Sequence, residues 1–305
     1  MKPRLKGNVA VVTGATRGAG RGIACALGKA GATVYCTGRS VRGAPSPINR
    51  PETIEETAEM VTARGGAGIW AQVDHTQPEQ VRALFERIRR EQNGRLDILV
   101  NDISGDWHLE WKTDWGHEGL PFWEHSLENG LQVQNAGVHS HIITSHYAAQ
   151  LMVDRRQGLI VEINDGNHMM YNSCNLFYSL TKTSAILLAH FMAEELRKHN
   201  VAAVCLTPGW LRSEKMLESM GLQEENWRDG IETEPSWACS ESPLFISRAV
   251  VSLAADPDIM EKTGRAFEAA YLAREYGFTD VGGVHPPFFR KAAFFEDGGF
   301  VCPRP

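Results

Sequence analysis

The stretch from Asn8 to Ala30 constrains this chain more than any other. Asn8 to Thr13 reads NVAVVT, a short continuous apolar run of the kind that a strand buried on both faces requires. It breaks into GATRGAGRG and then into a helical stretch from about Gly20 to Ala30. Gly14, Gly18 and Gly20 thus follow a strand and open a helix, where glycine has a mechanism. Bare backbone lets a pyrophosphate approach, and the helix amino terminus supplies N–H donors and partial positive charge. The plainer alternative is a tight strand-to-helix turn with no ligand.

The alternation then repeats. Thr33–Thr37 reads as a strand, Pro51–Arg64 as a helix with acids in its first turn, Ala67–Val73 as a strand, Gln77–Glu91 as a charged amphipathic helix and Leu96–Asn101 as a fourth strand. Strand and helix in such succession predict an α/β fold, a doubly wound parallel sheet. Further along, Phe122–Val153 is predicted as one long helix, Gly158–Ile163 as a strand, the segment after Tyr178 as a helix and Val201–Leu206 as a strand. A helix at Pro243–Ala255 and a short strand at Arg265–Ala269 finish the sheet. With no internal repeat and no linker, residues 1–305 are expected to form a single domain. Loop insertions fall at about 104–123 and 210–241, and a tail runs from about 270. The first insertion carries Trp107, Trp111, Trp115 and Trp123 and begins where a strand ends, the ligand side of such sheets. It is either a pocket wall or lid, or a loop whose indoles cover the sheet. The second, polar and Met-containing from Trp210 to Trp237, suits a mobile substrate loop.

Composition removes several function classes. A net charge of -6 offers no basic field to nucleic acid. No run approaches the roughly 18 apolar residues of a membrane span, and MKPRLKG has no apolar signal core, so a cytoplasmic location is expected. Six cysteines without a Cys-x-x-Cys pair indicate neither a disulfide framework nor zinc. His139, His141 and His146 cluster, but no carboxylate or cysteine joins them at ligand spacing, so no metal is expected.

The second strand ends in Gly38, Arg39 and Ser40, with no Asp or Glu. An acid near this strand end holds the ribose hydroxyls of NAD, whereas an arginine accommodates the 2'-phosphate of NADP. Arg17 in the glycine turn and Arg39 at the strand end would converge on one phosphate, so NADP is expected over NAD. Asp74, at the end of the third strand, either caps the following turn or accepts from an adenine amine.

Asn164–Lys182 holds Tyr178 and Lys182, four apart and on one face if the segment is helical. The ammonium favours phenolate and draws the tyrosine down from its free value of about 10, making it a usable proton donor. Alone, such a pair occurs by chance on many helices.

Together, Thr13-Gly14-x-x-x-Gly18-x-Gly20, Asp74, Asn101, Tyr178-x-x-x-Lys182 and Pro208-Gly209 have the order and spacing of the short-chain dehydrogenase/reductases, which the chain resembles from about Leu5 to Ala269. REQNGRLDILVN and the Pro-Gly segment resemble the dehydrogenase/reductase member 1 branch in particular. The resemblance implies a three-layer Rossmann fold with seven parallel strands and NAD(P)-dependent hydride transfer. It makes Tyr178 the general acid or base, with Lys182 lowering its pKa and holding the nicotinamide ribose. Gly14, Thr16, Arg17, Gly18, Gly20, Asp74, Asn101, Pro208, Gly209 and Leu211 become cofactor positions, with Ser213 near the carboxamide. Homodimers or homotetramers are implied through the helices at about 122–153 and 181–199.

Two departures matter. The family's catalytic serine position, thirteen residues before the tyrosine, holds Asp165, and the asparagine that relays protons falls at about Gly137, near Asn135. A serine donates to a carbonyl oxygen, while an ionised aspartate only accepts and repels alkoxide charge. Asp165 therefore has to be protonated, or serve a donor substrate such as an iminium, amine or hydroxyl, or be a turn residue facing away. Asn167, His168 and Ser173 are the alternative donors nearby. The expected activity is NADPH-dependent reduction of a carbonyl or imine carbon in a bulky, mostly apolar small molecule. The alternatives are an alcohol or amine dehydrogenase or epimerase with Asp165 as base, and a non-catalytic NADPH-binding redox sensor.

Overall fold

The computed structural model describes residues 4–44, 46, 49–103, 121–165 and 175–286. Trp107, Trp111, Trp115, Asn167, His168, Ser173 and most of the tail lie outside the described residues, and so do the roles suggested for them.

Among the described residues nine strands are formed: β1 (Val9–Val12), β2 (Thr33–Gly38), β3 (Ala67–Gln72), β4 (Ile98–Asn101), β5 (Gly158–Ile163), β6 (Val201–Thr207), β7 (Trp210–Leu211), β8 (Ser240–Glu241) and β9 (Ala266–Glu268). Seven make one sheet in the order β3-β2-β1-β4-β5-β6-β9, every pairing parallel, as the sequence predicts. The helices are α1 (Gly18–Lys29), α2 (Ile54–Ala63), α3 (Pro78–Glu91), α4 (Leu127–Gln134), α5 (Ser140–Arg155), α6 (Leu176–Leu196), α7 (Glu214–Ser219), α8 (Pro243–Ala254) and α9 (Ala269–Tyr276).

The strands explain the layers. Side chains alternate between faces, so Ala10, Val12, Val34, Ile98, Val100 and Val161 join α1, α2, α8 and α9 in one core. Val9, Val11, Tyr35, Leu99 and Ile160 pack with α3, α5 and α6 in the other. Both faces being covered, the strands can be continuously apolar. The order reverses between β1 and β4, and in such sheets the ligand crevice lies outside the carboxyl ends at the reversal.

The long helix expected over 122–153 is divided. A 3-10 turn at Phe122–Glu124 precedes α4, whose start is fixed by Ser126 accepting the Asn129 N–H at 3.3 Å. A π-turn at Asn135–His139 then separates α4 from α5. Gly137 sits in it because a Cβ there would lie 2.4 Å from Thr181 Cγ2. Likewise α2 begins at Ile54 rather than Pro51, since Thr53 supplies the cap.

The stretch expected to be irregular, 210–241, is folded. β7 pairs with β8 in a parallel two-stranded sheet, and Trp237 is fully buried. Its indole donates to the Trp227 carbonyl at 2.8 Å and meets the Trp210 ring edge-on at 5.5 Å. Helix α9 is a further element that the sequence pattern did not suggest. Among the described residues, no helix is long and apolar enough to cross a membrane.

Candidate active site

Helix α6 starts where it does because Asn175, in extended conformation, accepts the Tyr178 N–H on its Oδ1 at 3.0 Å. Tyr178 is thereby in the first turn and Lys182 one turn later on the same face. The Lys182 Nζ stands 5.2 Å from the centroid of the Tyr178 ring. The Tyr178 hydroxyl donates to Asp165 Oδ2 at 2.7 Å. Asp165, just past the end of β5, therefore faces the tyrosine, and the alternative of a turn residue pointing away does not hold.

Gln134, which the sequence reading did not single out, braces this pair. From the last turn of α4 its Nε2 donates to the Phe177 carbonyl at 2.5 Å and to Thr181 Oγ1 at 2.9 Å. Those two residues precede Tyr178 and Lys182. At the position expected for the relay asparagine, Gly137 provides only backbone.

Beneath the pair lies a buried polar floor. Asn101, fully buried, donates to Ser145 Oγ at 2.9 Å and to Glu162 Oε1 at 2.7 Å, so its amide points into the protein, with Oδ1 left unbonded. Glu162 also meets His141 Nδ1 at 2.5 Å, and His141 Nε2 reaches the Ile103 carbonyl at 2.9 Å. Both ring nitrogens face acceptors, so His141 serves as a double donor, an imidazolium. Burial by itself lowers this imidazole; the Glu162 carboxylate and the Ile103 carbonyl more than offset it and leave it raised. The signal for this network was the lone Glu in the apolar strand GLIVEI, since a fully buried carboxylate must be paired. Asp102 follows Asn101, and burial pushes its carboxyl up to about 7 against the pull of Lys182, the Gly20 N–H and His141.

At the other end of the crevice, Gly14 has φ +65°, and a Cβ there would lie 2.3 Å from the Asp102 carbonyl. The loop after β4 thus rests on the glycine turn. The Gly18 N–H, at the amino terminus of α1, holds Glu214 Oε2 at 2.8 Å. A carboxylate of this chain already occupies that terminus, and a dinucleotide phosphate fits the same donors. Thr16 closes on the end of β2: its Oγ1 lies 3.1 Å from where a Gly38 Cβ would stand.

Arg17 keeps Nη1 buried, with no hydrogen-bond partner among the described residues. Burial lowers its pKa, and the charges acting on it are Glu52, Arg50, Glu214 and Arg21. Arg50 and Arg21 are thus close enough for their charges to act on Arg17. Arg39 is exposed at the end of β2, where its carbonyl accepts from Gln72 Nε2 at 3.1 Å. Asp74 caps the following turn: Oδ1 accepts the Thr76 N–H at 3.0 Å and the Thr76 hydroxyl at 2.7 Å.

Beyond β6, Pro208 leads to Gly209, whose N–H donates to Glu241 Oε2 at 2.9 Å. Leu211, half-buried in β7, packs against the core, and Ser213 caps α7 by accepting the Met216 N–H at 3.3 Å. Ser213 Cβ lies 3.6 Å from a Cβ built on Gly18, so this residue is beside the glycine turn.

A parallel sheet whose switch point carries a glycine turn on a helix amino terminus, next to a tyrosine-lysine pair, is the frame of an oxidoreductase working with a dinucleotide. The family model for short chain dehydrogenases matches residues 8–225, and the chain belongs to that family of NAD(P)-dependent oxidoreductases. It is 37% identical over 281 residues to mouse dehydrogenase/reductase SDR family member 1, covering 92% of this chain and 85% of the relative. Against the human protein of the same name the identity is 37% over 285 residues, with 93% and 86% covered. These relatives place it in the branch that the sequence resembles. A solved metagenomic short-chain oxidoreductase in complex with NADP superposes with a TM-score of 0.65 at 22% identity, covering 87% of this chain and 97% of that one, and shows the shared fold.

Proposed function

We propose that this chain is an NADPH-dependent reductase, a single dinucleotide-binding domain that adds hydride to a carbonyl or imine carbon of a small, bulky, apolar molecule. The observation that carries the reading is the Tyr178 hydroxyl 2.7 Å from Asp165, with the Lys182 ammonium 5.2 Å from the tyrosine ring.

Bound NADPH would supply the hydride; Gly14, Thr16, Arg17, Gly18, Gly20, Arg39, Asp74, Asn101, Pro208, Gly209, Leu211 and Ser213, together with Tyr178 and Lys182, are the residues proposed to hold or frame it. The Lys182 ammonium favours the phenolate that Tyr178 becomes when it gives up its proton. As hydride arrives at carbon, the substrate oxygen or nitrogen takes the Tyr178 proton. Asp165, hydrogen-bonded to that hydroxyl, returns a proton to it when protonated; when ionised it accepts from an N–H or O–H of the substrate.

The same 2.7 Å contact supports a second reading, in which Asp165 is the base of an alcohol or amine oxidation. NADP is preferred to NAD because β2 ends in Gly38, Arg39 and Ser40 without an acid, and Arg17 keeps a buried donor unpaired among the described residues. Oxidation of NADPH, followed against a panel of ketones and cyclic imines, tests the activity. Full turnover by Tyr178→Phe would sink the mechanism.

A further inference from the structure

Helix α7 carries Glu214 and Glu218, spaced i and i+4 and so on one face. Each makes one long-range contact with a donor, a backbone N–H in one case and a guanidinium in the other. Glu214 takes the Gly18 N–H at the amino terminus of α1, and Glu218 takes Nη1 of Arg50. Arg50 is largely buried and is held in place through Nε and Nη2 by Glu52, at 2.7 to 3.1 Å, leaving Nη1 as its outward-facing donor. Arg17 keeps a buried Nη1, and the charges acting on it are Glu52, Arg50, Glu214 and Arg21, so it feels both contacts.

The pattern is that of two anions, one turn of helix apart, seated on a helix terminus and on a guanidinium beside it. A dinucleotide that carries a 2'-phosphate presents the same two anions, a pyrophosphate and a phosphate on the adjoining adenosine ribose. We propose that Glu214 and Glu218 stand in for these two phosphate groups, and that Arg50, with Arg17, forms the subsite for the adenosine 2'-phosphate. The inference rests on the NADPH reading. On it, cofactor and α7 compete for one set of donors, and α7 is displaced from the glycine turn when cofactor enters.

Titration calorimetry on the full chain with 5'-AMP, 2',5'-ADP and NADPH separates the parts. Glu214→Gln removes the charge at the helix terminus and should tighten 5'-AMP and 2',5'-ADP alike, about fivefold. Glu218→Gln should tighten only 2',5'-ADP and NADPH, by about threefold, because Glu218 is exposed and its ion pair is weak. Arg50→Gln should weaken 2',5'-ADP and NADPH and leave 5'-AMP unchanged; Arg50→Lys, which keeps Glu52 paired, replaces it if thermal melts show that the first variant is unfolded. NADPH binding with no gain in either glutamine variant overturns the stand-in, and equal losses for 5'-AMP and 2',5'-ADP in the Arg50 variants overturn the subsite; in both cases the cofactor reading survives. Failure of the wild-type chain to bind NADPH overturns both.

Discussion

The Tyr178 hydroxyl and the Asp165 carboxylate are hydrogen-bonded at 2.7 Å. Where a serine would donate to a carbonyl oxygen, this chain has a carboxyl that already receives the tyrosine's only hydroxyl proton. Asp165→Ser restores a donor and frees the hydroxyl. Ketone reduction should then rise and the turnover of cyclic imines fall, with the ratio of the two kcat/KM values shifting by about tenfold or more. Unchanged ratios would show that Asp165 takes no part in choosing substrate.

Cofactor preference has its own test. Arg39→Asp places a carboxylate at the exposed end of β2, where the ribose of the cofactor is expected. NADPH affinity should drop by about tenfold or more while NADH affinity holds or improves, since only the first brings a phosphate against the new charge. Equal losses would remove Arg39 from the phosphate site and leave Arg17 and Arg50 there.

Gln134→Met keeps the length of the side chain but breaks both ties to α6, which are hydrogen bonds to Phe177 and Thr181. The expected loss is about 1 kcal/mol of stability per bond. Because α6 presents Tyr178 and Lys182, kcat should fall several-fold while NADPH affinity stays near wild type. A change in Tm with kcat untouched would make Gln134 purely structural.

Glu241 sets a pH dependence. Burial pushes its carboxyl up to about 8, so from the ordinary carboxylate range to about 8 the folded chain holds a proton that the unfolded chain has released. Stability from this group is greatest in acid, declines as pH rises through that window and levels off above it. Tm should be lower at pH 8 than at pH 6, and Glu241→Gln, neutral at both, should reduce the difference. Glu241→Ala should cost about 1–3 kcal/mol at any pH, because the Gly209 N–H loses its acceptor.

Phe122, Trp123, Leu127, Leu131 and Ile142 are exposed along the α4 and α5 segment, and Leu176, Leu180 and Phe191 along α6. Apolar patches of this kind mark contact surfaces. Light scattering should find a dimer or tetramer, and Leu180→Glu with Phe191→Glu should shift it toward monomer; a monomeric wild-type chain would refute the association.

Much of the frame was legible because local signals agreed with it. Continuous apolar runs such as NVAVVT and GLIVEI need burial on both faces, and that fixed strands and layers together. Tyr178 and Lys182 were legible because their spacing stood in order with the glycine turn, Asn101 and Pro208-Gly209. The partners of these residues were not, because they depend on tertiary approach. Nothing near Gln134 in sequence says that it meets Phe177, and nothing near Arg17 says that the charge of Arg50 acts on it. The folding of 210–241 was hidden for a similar reason, since Trp237 is buried by partners such as Trp210 and Trp227 that no periodicity announces.

The π-turn at Asn135–His139 is also a phase adjuster. It holds one residue more than an α-turn, which offsets the helical faces before and after it by about 100°. Before it, Gln134 points at α6; after it, His141 points at β5 and Glu162. A continuous α-helix could not satisfy both. Deleting a single residue here would therefore force a choice between bracing the tyrosine-lysine pair and keeping Glu162 neutralised, whereas a one-residue change at the open turn around Gly65 would disturb neither.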